Sequence, residues 1–238
     1  MLFLDTQPER IKESWSIFHV GQTNPLQLRA LSPKGALRKL PVKNITFTAS
    51  KYPNINDRKA AFEREALRLN ALGYNIYIVM NPITPEFLGN ETNGLAVCDS
   101  DIECRRFLLI DIDRANAVGP IPEDDIDDMW LFTFQIEKYL KESGYADFFE
   151  VFSGNGAHIY LPLDSLPNDD TSKEHCQATL HALAKRFDND TYKVDTCVYN
   201  ASRITKVPGT IARKGIESED CPYQIAHVVE VEVEVEVV

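Results

Sequence analysis

Hydrophobic periodicity changes character several times along the chain. Residues 8–17 (PERIKESWSI) place a proline ahead of scattered apolar positions, which predicts a short first helix. LQLRALS (26–32) and NITFTAS (44–50) alternate apolar and polar positions and are rich in β-branched residues. With the turn residues Pro33, Lys34 and Gly35 between them, they predict a pair of strands. From Asp57 to Leu72, Ala61, Glu65 and Leu69 recur at helical spacing, as do Ala60, Leu67 and Asn70; this predicts a helix capped by Asp57 and ended by Gly73. YNIYIVMNPI (74–83) reads as a buried strand broken at Asn81-Pro82.

A loop over 84–104 leads to RFLLIDIDR (106–114), an apolar run that ends in carboxylates. Residues 122–143 read as a helix with acids crowded into its start and lysines near its end, as the helix dipole favours. Residues 148–163 predict strand, glycine-rich turn, strand, and 171–187 a further amphipathic helix. RITKVPGTIARK (203–214) and residues 224–238 follow as strands. In the latter, VEVEVEVEVV puts Val on one face and Glu on the other, either as the last strand of a sheet or as a pairing edge for a dimer. Neither an internal repeat nor a flexible linker divides the chain, so it is expected to form one catalytic unit, residues 1–238, with lobes over about 1–100 and 101–238.

At 238 residues the chain is long enough to bury a core of its own. It contains no apolar run of membrane-spanning length, and its start turns charged too early for a signal peptide, so the expected compartment is the cytoplasm, without membrane partners. The five cysteines, at 98, 104, 176, 197 and 221, form no close pair. Reduced, mostly buried thiols are expected, and no zinc.

The net charge of −11 is regional. Residues 1–100 carry 12 basic and 9 acidic side chains, residues 101–170 carry 5 and 16, and residues 171–238 carry 8 and 11. Ten basic residues lie between Arg29 and Arg68 against Asp57, Glu63 and Glu65, and Arg203, Lys206, Arg213 and Lys214 follow one another with no acid between. Local field matters more than the total when a polyanion binds, so these two stretches keep a nucleic-acid partner in play.

Three constellations carry chemistry. Asp111 and Asp113, two apart on a strand, share a face, while Ile110 and Ile112 point into the core. Two close carboxylates repel unless a cation lies between them, and hard divalent ions favour such oxygen donors. The plain alternative is a strand end paired with Arg105, Arg106 or Arg114. Ser153-Gly154-Asn155-Gly156-Ala157-His158 is a turn able to present N–H groups to an anion, or simply a hairpin turn. In VDTCVYNASRITKVPGT (194–210), Asp195 is a third carboxylate, and Arg203 and Lys206 are a fork and a point charge suited to phosphate.

The order LLIDID, SGNGAH, then VD followed by NASRITKVPGT resembles the archaeo-eukaryotic primase superfamily, in particular the primase-polymerase domains of phages, plasmids and other mobile elements. LGYNIYIVMNPI and NPLQLRAL extend the similarity over most of the chain. The resemblance implies an α+β fold: a catalytic core like an RNA-recognition-motif sheet, antiparallel or mixed and flanked by helices, joined to an N-terminal α/β unit. It implies template-dependent nucleotidyl transfer, as primase or DNA polymerase, through two Mg²⁺ or Mn²⁺ ions during replication of such an element.

By the same resemblance Asp111, Asp113 and Asp195 are catalytic metal ligands. His158 is catalytic and contacts the phosphates of the incoming nucleotide, with Ser153, Gly154, Asn155, Gly156, Arg203 and Lys206 also binding NTP or dNTP. The family pattern is often Ser-x-His, whereas here Gly156 stands two before His158 and Ser153 lies further back. Arg213 and Lys214 are expected on the nucleic acid, a single-stranded DNA template or primer-template. Three arrangements stay open at this point: a helicase on a missing C-terminal domain, a helicase partner in trans, and a stand-alone polymerase. An aromatic such as Tyr160 is expected near the sugar. Two other readings stand beside this one: a non-catalytic nucleic-acid-binding or replication-initiation protein of the same fold, and a DxD phosphohydrolase. The phosphohydrolase pattern wants a small hydroxyl residue after the second Asp, where this chain has Arg114-Ala115-Asn116.

Overall fold

The computed structural model describes residues 2–89, 94–145 and 147–229. In chain order the elements are α1 (Leu2–Phe18), β1 (Leu26–Leu31), β2 (Lys43–Phe47), α2 (Ile55–Ala71), β3 (Asn75–Val79), β4 (Cys104–Arg114), α3 (Asp124–Glu142), β5 (Phe149–Phe152) and β6 (Ala157–Pro167). They continue with α4 (Asp170–Phe187), β7 (Tyr192–Val194), β8 (Ile204–Lys206), β9 (Ile211–Ala212), β10 (Gln224–Ile225) and β11 (His227–Val228). The fold is α+β: two antiparallel sheets, ordered β2-β1-β3-β8 and β11-β5-β6-β4-β7, a β9-β10 ribbon, and four helices among the described residues. The first sheet is not confined to the N-terminal hundred residues, because its fourth strand is β8. Most of the tail VEVEVEVEVV lies outside the described residues. No described helix is long and apolar enough to cross a membrane.

β4 is flanked by β6 and β7. Leu108, Leu109, Ile110 and Ile112 are buried on it, which explains the unbroken apolar run that precedes its carboxylates. The first helix is longer than the sequence pattern predicts and contains Pro8. Its buried residues Ile11, Trp15 and Phe18 recur at i, i+4 and i+7, and Phe18 packs against Tyr160 with ring centroids 5.5 Å apart.

The cap of α2 is Asn54, whose side chain accepts from the N–H of Asn56; Asp57 lies inside the first turn, where it meets the positive end of the helix dipole. The acids that open α3 make no side-chain cap bond. One of them, Asp125, instead meets Arg114 at 3.4 Å. All five cysteines are free thiols, but only Cys176 is buried, and Cys98 and Cys197 are exposed.

Several basic residues between Arg29 and Arg68 turn out to be structural. Arg58 is fully buried and donates to the carbonyls of Tyr52, Gln22 and Asn24. Arg29 donates to Asn44, and Arg68 pairs with Glu65 at 2.7 Å. Asn81 closes the end of β3 onto β4: its Oδ1 accepts from the N–H groups of Arg106 and Phe107, and its Nδ2 donates to the Ala201 carbonyl.

Candidate active site

Backbone pairing assembles the acidic wall of the site. Asp111 and His158 are directly opposed in the β4-β6 register, and His158 Nε2 lies 3.4 Å from Asp111 Oδ1. The N–H of Asp195 donates to the Asp111 carbonyl at 2.8 Å, which brings the third carboxylate beside the first two through the main chain. Asp111, Asp113, Asp195 and His158 all line one cavity of about 400 Å³. None of Arg105, Arg106 and Arg114 neutralises the pair. Arg105 donates to the Tyr199 carbonyl, Arg106 to that of Ile17, and Arg114 turns to Asp125, Gly119 and Pro120.

Burial would push the Asp111 carboxyl up, but His158, Arg203 and Lys214 outweigh it and hold the group below its ordinary value. Asp113 moves the other way. Burial raises it, Asp111 and Asp195 add their repulsion, and Lys214, 3.6 Å away, offsets part of the rise. Negative charge is therefore concentrated enough for these groups to feel one another.

Among the described residues no group of three or more His, Cys, Asp or Glu side chains is gathered closely enough to hold a metal as it stands. The donor chemistry still fits a hard divalent ion: two carboxylates on one face of a strand, with a third beside them, offer the oxygen ligands that Mg²⁺ or Mn²⁺ takes.

Cationic side chains line the same cavity, one of them, Lys206, from the other sheet. Lys206 on β8 is buried; its ammonium donates to the Ile211 carbonyl at 3.1 Å and lies 5.6 Å from the Tyr77 ring centre. Burial, with Arg213 adding to it, pushes this ammonium down to about 7. Arg203 donates to the Cys197 carbonyl, while its buried Nε has no partner. Arg213 and Lys214 line the cavity as well, Lys214 beside Asp113.

The glycine-rich turn closes one end of the cavity. Ser153 Oγ donates to the Gly156 carbonyl and accepts from the Gly156 N–H, so that hydroxyl and that amide hold the turn's shape. The two glycines answer to packing. A Cβ on Gly154 would strike Ala212, and one on Gly156 would strike the Ile112 carbonyl next to Asp111. Asn155 lines the cavity, and its buried Oδ1 has no partner.

No family model matches the chain, and no curated protein matches it. Among solved structures it is similar to the primase RepB' at 14% identity and TM-score 0.47, over 94% of this chain and 56% of that one. It is also similar to the polymerase domain of Mycobacterium tuberculosis ligase D in complex with DNA, at 13% identity and TM-score 0.48, over 92% of this chain and 80% of that one. One is a primase, the other a polymerase domain. The chain spans little more than half the length of the RepB' chain.

The motif residues thus surround one cavity, but four of its features escape sequence reading. Tyr160 does not line the cavity: it is fully buried, stacked on Phe149 at 4.6 Å, and its hydroxyl meets Thr205 Oγ1 and His158 Nδ1. Thr205 Oγ1 is itself 3.3 Å from His158 Nδ1, so β8 helps hold the histidine of β6 from behind. The aromatic that does line the cavity is Tyr77, whose hydroxyl pKa rises to about 12 through burial and then the charges of Asp111 and Asp113. Lys34 lines it as well. The alternation of β3, with Ile76 and Ile78 buried and Tyr77 facing the other way, is the signal that identifies Tyr77; Lys34 leaves none, since it arrives through contact with residues 214 and 215.

Proposed function

We propose that this protein is a template-dependent nucleotidyltransferase, a primase or polymerase acting on a nucleoside triphosphate. The observation that carries the reading is that one cavity is lined by both charges: the carboxylates Asp111, Asp113 and Asp195 together with the cations Arg203, Lys206 and Lys214, and His158 beside Asp111. Its volume lies in the range of small-ligand sites. An extended anion and a hydroxyl nucleophile need these two environments side by side.

Asp111, Asp113 and Asp195 would hold Mg²⁺ or Mn²⁺, which supplies Lewis acidity for the attacking 3′-hydroxyl and for the leaving pyrophosphate. The rest is the work of the protein's own groups. Arg203 offers its fork to phosphate oxygens, and the Nε without a partner gains an acceptor there. Lys206 reaches the same phosphates as a point charge in a dry wall, where each interaction is stronger than in water. His158 is held with Nε2 toward the cavity by Tyr160 and Thr205, so its ring donates to an anion without first reorienting. Ser153 and Gly156 keep the turn in place, and Asn155 Oδ1 accepts from the bound nucleotide. Arg213 and Lys214 continue the positive surface toward the template strand.

The test is incorporation of labelled nucleotides with Mg²⁺ or Mn²⁺ on primed and unprimed single-stranded DNA, against an Asp111→Ala/Asp113→Ala variant. Wild type is expected to form product, and the variant at least 10³-fold less, on the order of the loss for removing transition-state electrostatics. Extension of the primer alone identifies a polymerase, and products on the unprimed strand a primase. Silence of both proteins with every nucleotide set overturns the reading.

A further inference from the structure

Next to this cavity, and sharing Arg213 with it, lies a second groove of about 380 Å³. One bank is the segment after β1, which includes Pro33, Leu37 and Arg38; the other is the segment after β9, which includes Ile216 and Glu217. The banks are tied together by main chain. The Gly215 N–H donates to the Lys34 carbonyl at 2.9 Å, and Lys34 and Lys214 form a parallel bridge. Gly35 and Gly215, at φ +81° and +65°, permit this approach, since a Cβ on Gly35 would lie 3.2 Å from the Cα of Gly215.

The surface this creates is unusual in an acidic protein. Arg38, which lines the groove, and Lys34 and Lys39, close to it in the chain, are exposed, and none has an ion-pair partner among the described residues. Beside them, Leu37 is 98% exposed and Ile216 71%. Glu217, the acid among the lining residues, accepts from the Tyr223 N–H. Cations alone would suit any polyanion. Cations alternating with bare aliphatic side chains suit one that also exposes apolar faces, which single-stranded nucleic acid does and a duplex does not.

The geometry points to this groove as the track of a single nucleic-acid strand, with Arg38 and Arg213 of its lining on backbone phosphates, the exposed Lys34 and Lys39 flanking Arg38 along the chain, and Leu37 and Ile216 against unpaired bases. The track leads past Lys214 to the carboxylates. Calling that strand the template rests on the nucleotidyltransferase reading; its being bound does not.

The experiment is fluorescence anisotropy of a labelled single-stranded oligonucleotide over a salt series, without nucleotide or metal. Arg38→Ala/Lys39→Ala is expected to bind roughly tenfold more weakly, with a log-log salt slope shallower by about 1.4, since each phosphate contact on a single strand contributes about 0.7. Leu37→Ser is expected to reduce the preference for single strand over duplex about threefold. Lys138→Ala/Lys185→Ala removes the same charge from helix surfaces that line neither cavity and is expected to match wild type.

Wild-type affinity and slope in the groove variant, an equal loss in the helix variant, or displacement by polyglutamate as effective as by unlabelled oligonucleotide overturns the assignment. The two readings fail separately. If the groove variant binds normally while Asp111→Ala/Asp113→Ala abolishes incorporation, the track falls and the enzyme stands. If the groove variant loses binding and wild type incorporates nothing, the enzyme falls and the track stands.

Discussion

Lys206 shows how one buried side chain links folding to binding. Its ammonium titrates at about 7 in the folded chain against an ordinary 10.5. Below pH 7 both folded and unfolded chains carry the proton, and the folded one bears the cost of burying it. Between 7 and 10.5 the unfolded chain holds the extra proton, so this group's contribution to stability rises with pH across that window. Binding phosphate requires the charged form, so nucleotide affinity should fall as pH rises above 7. Lys206→Met is therefore expected to melt higher than wild type at pH 6, to bind nucleotide at least tenfold more weakly there, and to lose the pH dependence; thermal melts and nucleotide titrations at pH 6 and pH 8.5 check all three. His158 makes a different case, because two hydroxyls meet its Nδ1. Tyr160→Phe or Thr205→Val alone leaves one of them and should cost less than about threefold in kcat, while the double variant should cost tenfold or more, a non-additivity read by steady-state kinetics alongside ¹⁵N imidazole shifts. None of this is legible from the sequence. An aromatic two residues after a motif histidine looks like a ligand contact, and only the arrival of Thr205 from the other sheet shows that it points inward.

At the level of elements, two asparagines replace a missing strand neighbour. Asn75 accepts from the Arg213 N–H and donates to the Arg213 carbonyl, both at 2.8 Å, and Asn70 does the same for Ile211 at 2.9 and 3.0 Å. These side chains hold β9 and the residues after it, and with them Arg213 and Lys214, against α2 and β3. Asn75→Asp sets a carboxylate oxygen against the Arg213 carbonyl and should destabilise the fold by about 1–3 kcal/mol, measured by denaturant unfolding, with faster amide exchange over 211–214. The sequence pattern shows the helix and strand that carry Asn70 and Asn75, because 3.6- and 2-residue periods depend only on local burial. It does not show what those side chains reach, since their partners lie far along the chain. The same division holds at the site. The Asp111, Asp113, His158 constellation is legible because β4 and β6 are neighbouring strands whose register sets it. The arrival of Lys206 on β8 and the glycine approach of residues 35 and 215 depend on contacts between segments far apart in the chain.

Across the whole molecule, charge is segregated along the chain: the acidic middle supplies α3 and two of the three cavity carboxylates, Asp111 and Asp113, and the basic segments supply the cavity's cations and the groove beside it. One acid lies apart from this scheme. Glu150 on β5 shares a hydrogen bond with Glu137 of α3, and burial together with that neighbour raises its carboxyl to about 8, despite Lys141. Between 4.5 and 8 the unfolded chain gives up this proton and the folded chain keeps it, so stability falls as pH rises through that range. Glu150→Gln should flatten this slope, seen as a smaller difference in melting temperature between pH 5 and pH 8.5. The pairing of β3 with β8 has its own consequence during synthesis. Strands β2, β1 and β3 can form a sheet as soon as residue 79 has emerged, but the outer edge of β3 finds its partner only when residues 204–206 leave the ribosome. For all of that interval the nascent chain displays an unpaired edge carrying Tyr77 and Ile78, and a ribosome stalled before residue 204 would display it indefinitely, open to strand exchange with its neighbours on the same message.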